Sequence, residues 1–251
     1  MTYCVAIAVE QGLVLASDSR THAGPDQVSV FSKMHVLLDA QDRFFVLLSA
    51  GNLGTTQAVR TRIRHDLEFD RKPNLKTVQN MAEAAEYLGA INAGQGRKHS
   101  ENGDSDSSMT ATFILGGQIA DRPPGILLVY PEGNYIRSSR ETRFLQIGEL
   151  KYGKPILDRL LKPELPLDDV ARIALLSMDA TMRSNVTVGP PIEVMIYDPA
   201  RSRLMRHLVF GPDDDYLREL GRSWQAYVEK AFSVLPPLPL RPAERLRAVD
   251  E

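Results

Sequence analysis

Thr2, Asp18, Lys33 and Gly51 are residue types that together could carry out acyl transfer. Thr2 sits directly behind the initiator methionine. Once Met1 leaves, it holds a hydroxyl and a free α-amine on one residue, a nucleophile with a built-in base. The reference pKa of such an amine is about 7.7–8.0, close to working pH. A nearby Lys33 cation disfavours a second positive charge and would lower it further. Asp18 would keep Lys33 charged and aimed, offsetting the cost of placing a cation in a cleft. The plainer alternative for Asp18 and Lys33 is a structural or surface ion pair. The backbone N–H of Gly51, at a strand end and helix start, suits a developing negative charge. The same glycine could equally serve only its turn.

These residues need elements that bring them together. Residues 3–9 and 13–18 are apolar, β-leaning runs around Gln11-Gly12, which predicts a hairpin with Thr2 and Asp18 at neighbouring ends. Residues 31–38 and 43–50 read as further strands, the latter buried on both faces. Gly51-Asn52 then opens a helix with Leu53, Val59, Ile63 and Leu67 on one side and Arg60, Arg62 and Arg64 on a charged other side, a possible subunit contact. Pro73-Asn74 breaks the chain, and Thr77 is the expected N-cap of a second helix. These two helices are expected to lie against the sheet of the preceding strands. Residues 93–108 read as an exposed polar loop. Residues 111–119, 125–130 and 135–147 form a second strand group. A third helix spans Pro155 to Leu161, and a fourth is capped by Asp168 or Asp169. Strands follow over residues 192–197 and 203–210. A tail helix over 213–233, capped within Asp213–Asp215, ends before the proline-rich stretch 236–242.

This order, with no β-α-β alternation, argues for an α+β chain of two packed antiparallel sheets, each covered by helices. The expected division is a domain of residues 1–211 followed by a helical, proline-rich extension over 212–251.

Composition narrows the function classes. The chain has 251 residues, 43% hydrophobic and 25% charged, enough for a core. A formal net charge of −2 gives no basic footprint for nucleic acid. Cys4 is the only cysteine, so no intramolecular disulfide or thiol-metal spacing is available, and a cytoplasmic setting is the simplest expectation. No signal-peptide pattern or membrane-span-length apolar run is visible. His65 and His99 lie among polar residues, and Asp104–Asp106 lacks calcium-loop spacing, so no metal site or cofactor is expected.

The segments carrying these residues resemble a known family. Thr2-x-x-Val5-Ala6-Ile7, Ala16-Ser17-Asp18-Ser19-Arg20, Phe31-Ser32-Lys33 and Leu48-Ser49-Ala50-Gly51 are similar to proteasome-type β-subunits, N-terminal nucleophile (Ntn) hydrolases, over roughly residues 2–210. With its C-terminal helix, the chain looks most like Anbu, the bacterial ancestral β-subunit branch. The resemblance implies a four-layer αββα sandwich. It also implies Thr2 as nucleophile, Asp18 and Lys33 as its tuning pair, and the Gly51 N–H as oxyanion donor. Where many proteasome subunits bind substrate backbone through a threonine, this chain has His22, with Thr21 beside it. Where they carry a supporting serine, it has Gly148-Glu149, and where they carry a second aspartate it has Asn185.

The implied activity is hydrolysis of amide bonds in a peptide or protein by a threonine peptidase, built from self-associating subunits in a ring or helix. No cofactor is required, and whether an ATP-dependent unfoldase feeds it stays open. Two other functions fit the residues: a non-catalytic ring or scaffold subunit, and an Ntn amidohydrolase of small molecules.

Overall fold

The computed structural model describes residues 1–22, 28–101, 109–200 and 204–238. In chain order the strands are β1 (Tyr3–Val9), β2 (Gly12–Asp18), β3 (Arg20–His22), β4 (Val28–Val30), β5 (Met34–Ala40) and β6 (Arg43–Gly51). Helices α1 (Leu53–Glu68) and α2 (Met81–Glu101) follow, then β7 (Ala111–Ile119), β8 (Gly125–Val129), β9 (Tyr135–Arg137) and β10 (Phe144–Gly148). Helices α3 (Lys154–Leu160) and α4 (Leu167–Ser184), strands β11 (Ile192–Asp198) and β12 (Leu204–Phe210), and helix α5 (Asp215–Ser233) complete it.

Two five-stranded antiparallel sheets result, ordered β10-β1-β2-β11-β12 and β5-β6-β7-β8-β9. Alternation along each strand explains the layers. On β1, Tyr3, Val5, Ile7 and Val9 join the core under α3 and α4, whereas Cys4 and Ala6 point into the space between the sheets. On β6, Phe45 and Leu47 face α1 and α2, while Phe44, Val46, Leu48 and Ala50 face the other sheet. Three apolar cores therefore separate four layers, the αββα sandwich expected from the order of elements.

Several boundaries differ from the sequence reading. The first two helices cover the sheet that contains β5 and β6, not the β1–β2 hairpin. The chain changes sheets between Asp18 and Met34, by way of the short β3–β4 ribbon. Residues 135–147 split into β9 and β10, which belong to different sheets. Helix α2 begins after Asn80 rather than at Thr77. Asn80 accepts from the Ala82 and Glu83 N–H groups, and Glu83 reaches back to the Gln79 N–H, a reciprocal cap. The Thr77 hydroxyl instead closes a turn with Asn74. The helix then continues to Glu101, through part of the segment read as a loop. The Asp104–Asp106 cluster and the His99 side chain lie outside the described residues. Pro166 occupies the α4 cap, with Asp168 and Asp169 in the first turn. In α5 the cap is Asp214, which accepts from the Leu217 N–H at 3.1 Å.

The apolar side chains of α5 are only partly covered. Leu217 and Leu220 pack on the core beneath α4, whereas Tyr227, Val228 and Phe232 are exposed. No helix among the described residues is long and apolar enough to cross a membrane.

Leu15 tests the central layer, because its side chain is fully buried between the sheets. Leu15→Ala should cost about 2–5 kcal/mol in denaturant unfolding. A loss under about 1 kcal/mol would show that this layer is not close-packed.

Candidate functional site at the sheet edge

The hairpin sets the site's geometry. Antiparallel pairing places Cys4 opposite Ser17 and Val9 opposite Gly12, so the start of β1 lies beside the end of β2. There the Tyr3 N–H donates to Asp18 Oδ1 at 3.0 Å. Asp18 is fully buried, and its register partner on the other side is Ile192 at the start of β11.

Lys33, just before β5, reaches into the same place. Its Nζ donates to Asp18 Oδ1 at 2.7 Å and to the Arg20 carbonyl at 2.7 Å, with the lysine itself almost wholly buried. The Lys33 carbonyl accepts from the Ser49 N–H at 3.0 Å, which ties it to the end of β6. The Gly189 N–H approaches Asp18 Oδ2 at 3.4 Å. Burial pushes the Asp18 carboxyl above its ordinary value, while the Lys33 ammonium and the two backbone N–H groups pull it back toward ionisation.

Two glycines are required by geometry. Gly51 has φ +109°, and a Cβ there would lie 2.3 Å from the Thr110 carbonyl oxygen. Gly148 has φ +83°, and a Cβ there would lie 2.0 Å from the Thr2 carbonyl oxygen. Gly148 thus lets the end of β10 run tight against Thr2, and the next N–H, of Glu149, donates to the Thr2 carbonyl at 2.7 Å.

Glu149 and Asn185, singled out in the sequence analysis, bond to each other. Glu149 Oε2 accepts from the Asn185 side chain at 3.1 Å, and Oε1 accepts from the N–H groups of Leu150 and Lys151. The Lys151 N–H, followed by the Asn185 amide and the Leu150 N–H, holds the Glu149 carboxyl below its usual range despite burial. Asn185 Oδ1 in turn fixes the Thr187 N–H and hydroxyl.

A cavity of about 300 Å³ opens at Thr2. Thr2, Thr21, Lys33 and Gly51 all line it, so residues from four separate strand regions converge there. Asp18 lies beneath, behind Lys33. His22 closes β3, and its side chain lies outside the described residues. His35, Ser49, Thr56 and Arg60 also line the cavity and were missed as site residues. Arg60, expected on a charged helix face that could meet another subunit, is half-buried within this chain, because α1 packs along β5 and turns one side of its polar face inward. The Met1 side chain also lines the cavity, and its α-amine sits below the ordinary value of 8.0, through burial first and Lys33 second, with Asp18 opposing. Among the described residues no cluster of His, Cys, Asp and Glu could hold a metal ion.

Residues 2–197 match the proteasome subunit family. Proteasome subunit beta 2 of Pyrobaculum calidifontis is 22% identical over 205 residues, covering 79% of this chain and 90% of that one. Solved structures of Anbu are more similar. Anbu from Yersinia bercovieri is 36% identical with a TM-score of 0.85, over 96% of this chain and 100% of that one. A Gly-1 mutant of Anbu from Hyphomicrobium sp. strain MC1 is 39% identical at 0.86, with the same coverage. The helical assembly of the Anbu complex from Pseudomonas aeruginosa is 36% identical at 0.87, over 94% of this chain and 98% of that one.

The buried pair makes a thermodynamic prediction. Lys33→Met leaves the Asp18 charge buried without its counter-ion and should cost about 3–5 kcal/mol. Adding Asp18→Asn should recover part of that loss, since the amide needs no counter-charge and still accepts from the Tyr3 N–H. Urea unfolding of the single and double variants reads the coupling. Strictly additive losses would contradict it.

Proposed function

Since the chain belongs to the proteasome subunit family, we propose that it is a threonine peptidase whose nucleophile is Thr2, uncovered by removal of Met1. One observation carries the reading: the residue after Thr2 is hydrogen-bonded through its N–H to the same Asp18 oxygen that Lys33 holds. The start of β1 is thereby fastened to a buried ion pair.

The proposed reaction follows from the groups present. Removal of Met1 frees the cavity wall its side chain occupies and transfers the α-amine to Thr2, one residue closer to Tyr3. The neutral amine takes the hydroxyl proton as Thr2 Oγ attacks the substrate carbonyl. The Gly51 N–H is the proposed donor to the resulting oxyanion. Collapse expels the amine product, which receives the proton, and leaves an ester on Thr2. Water, deprotonated by the same amine, hydrolyses that ester and restores the hydroxyl. Lys33 disfavours protonation of the amine, and Asp18 holds Lys33 in place. Glu149 and Asn185 act as positioning residues, holding the chain that clamps the Thr2 carbonyl. Thr21, on the cavity wall, and His22 beside it are the proposed contacts to substrate backbone.

Self-association belongs to the same proposal. One similar Anbu complex is described as a helical assembly. The exposed apolar half of α5 gives this chain a face that a neighbouring copy could cover. A cytoplasmic setting, with the lone Cys4 buried between the sheets, completes it.

Thr2→Ala should lower kcat/KM toward peptides by on the order of a thousandfold or more, with Thr2→Ser retaining activity. In the processed wild type, kcat/KM should rise with pH to a plateau, because only the deprotonated amine is a base. The midpoint should lie below 8.0, the ordinary amine value, because Lys33 lines the same cavity as Thr2 and disfavours a second positive charge there. Unchanged hydrolysis in Thr2→Ala, or a rate that falls as pH rises through that range, would rule out the mechanism.

A further inference from the structure

Two cavities meet at Arg60. The one beside Thr2 is continued along α1 and β5 by a second of about 610 Å³, and His35 and Arg60 line both. Arg64, Gln57 and His207 line the second. Among the described residues, no aspartate or glutamate lines either cavity.

The cations in this cleft differ in how they are balanced. The Lys33 charge is met by Asp18 at 2.7 Å. Among the described residues the Arg60 charge has no such partner: the charged neighbour acting on it is another cation, Arg64, and burial first and Arg64 second lower its hold on its proton. An arginine nonetheless stays protonated at neutral pH. His35 is driven down to about 4, by burial and then by Arg60, so it is neutral at pH 7 and adds no charge. Glu193 is the acid felt at His35, but its carboxylate is engaged elsewhere. Its Oε1 accepts from the Ser19 hydroxyl at 3.1 Å, and Oε2 is bonded to His207 at 3.0 Å. The neighbouring arginine on α1, Arg62, is paired with Asp66. Arg60 is thus a half-buried, uncompensated guanidinium at the junction of two open cavities. That arrangement costs stability in the free protein and suits a planar anion.

We infer that Arg60, backed by Arg64, receives a carboxylate of the substrate, from an aspartate or glutamate side chain near the bond to be cleaved or from a free C-terminus. This rests on the reading of the Thr2 cavity as a peptide site and adds the class of peptide it takes. The planar fork of Arg60 can hold both carboxylate oxygens, and the absence of acids from the cleft walls leaves nothing to compete. Peptides with a basic residue at the same place are disfavoured by the same charge.

The test uses the full-length Thr2→Ala protein, whose small second residue still permits methionine removal and which cannot consume the probe. Three fluorescently labelled tetrapeptides are compared by anisotropy at low salt. One carries glutamine and an amidated end, one glutamate and an amidated end, and one glutamine and a free C-terminal carboxylate. At least one carboxylate peptide should bind about tenfold tighter than the neutral peptide, about 1.4 kcal/mol. The gap should shrink with added salt. It should vanish in Arg60→Gln and persist in Arg60→Lys. Arg64→Gln, on the exposed side of the helix, should narrow it without disturbing the fold. Which carboxylate peptide gains identifies the source. Equal affinities, no binding by any peptide, or a gap that survives Arg60→Gln would overturn the inference. Loss of the gap while the wild type still hydrolyses neutral peptides would sink this inference alone and leave the threonine mechanism standing.

Discussion

The ion pair between Asp18 and Lys33 is the constraint on which the rest of the structure depends. A carboxylate with no solvent exposure must be paired and hydrogen-bonded, or the fold loses several kcal/mol. Asp18 meets that demand with an ammonium and two backbone N–H groups, from Tyr3, Lys33 and Gly189. Each donor comes from a different part of the chain. Satisfying one charge therefore fixes the start of β1, the entry to β5 and the turn before β11 relative to one another. The same charge holds Lys33 under the cavity that opens at Thr2.

The second constraint is steric. Gly148 and Gly51 occupy backbone conformations that side chains rarely adopt, and each lies against a carbonyl that a Cβ would strike. They let β10 close over Thr2 and let β6 turn sharply into α1. Behind them the Glu149–Asn185 contact steadies the chain that follows Gly148.

What the sequence reveals depends on the range of the interaction. The β1–β2 hairpin was legible because its strands are adjacent and its turn lies at Gln11-Gly12. The αββα class was legible from the order of elements. The assignment of strands to sheets was not, because the partner of β2 is β11, far along the chain, and local pattern carries no information on that pairing. The start of helix α2 was misread for a local reason: Asn80 accepts from two N–H groups and Glu83 from a third, so they outcompete Thr77 as a cap. Thr2, Asp18, Lys33 and Gly51 were named from sequence, and the fold gathers them at one edge of the sandwich. Arg60 was missed because helical periodicity places it on the charged face of α1, and His35 because nothing within its strand marks which residues a helix will pack beside. Only the packing of α1 along β5 shows a cavity on that side.

The proposed chemistry stands or falls on a mature Thr2 as the nucleophile. Its most direct measurement is peptide mapping by mass spectrometry after the protein, purified from its native host, has reacted with an electrophilic peptide that captures hydroxyl nucleophiles. The expected result is a chain beginning at Thr2 with a single adduct on that residue. A chain that keeps Met1, or an adduct on any other residue, would contradict it.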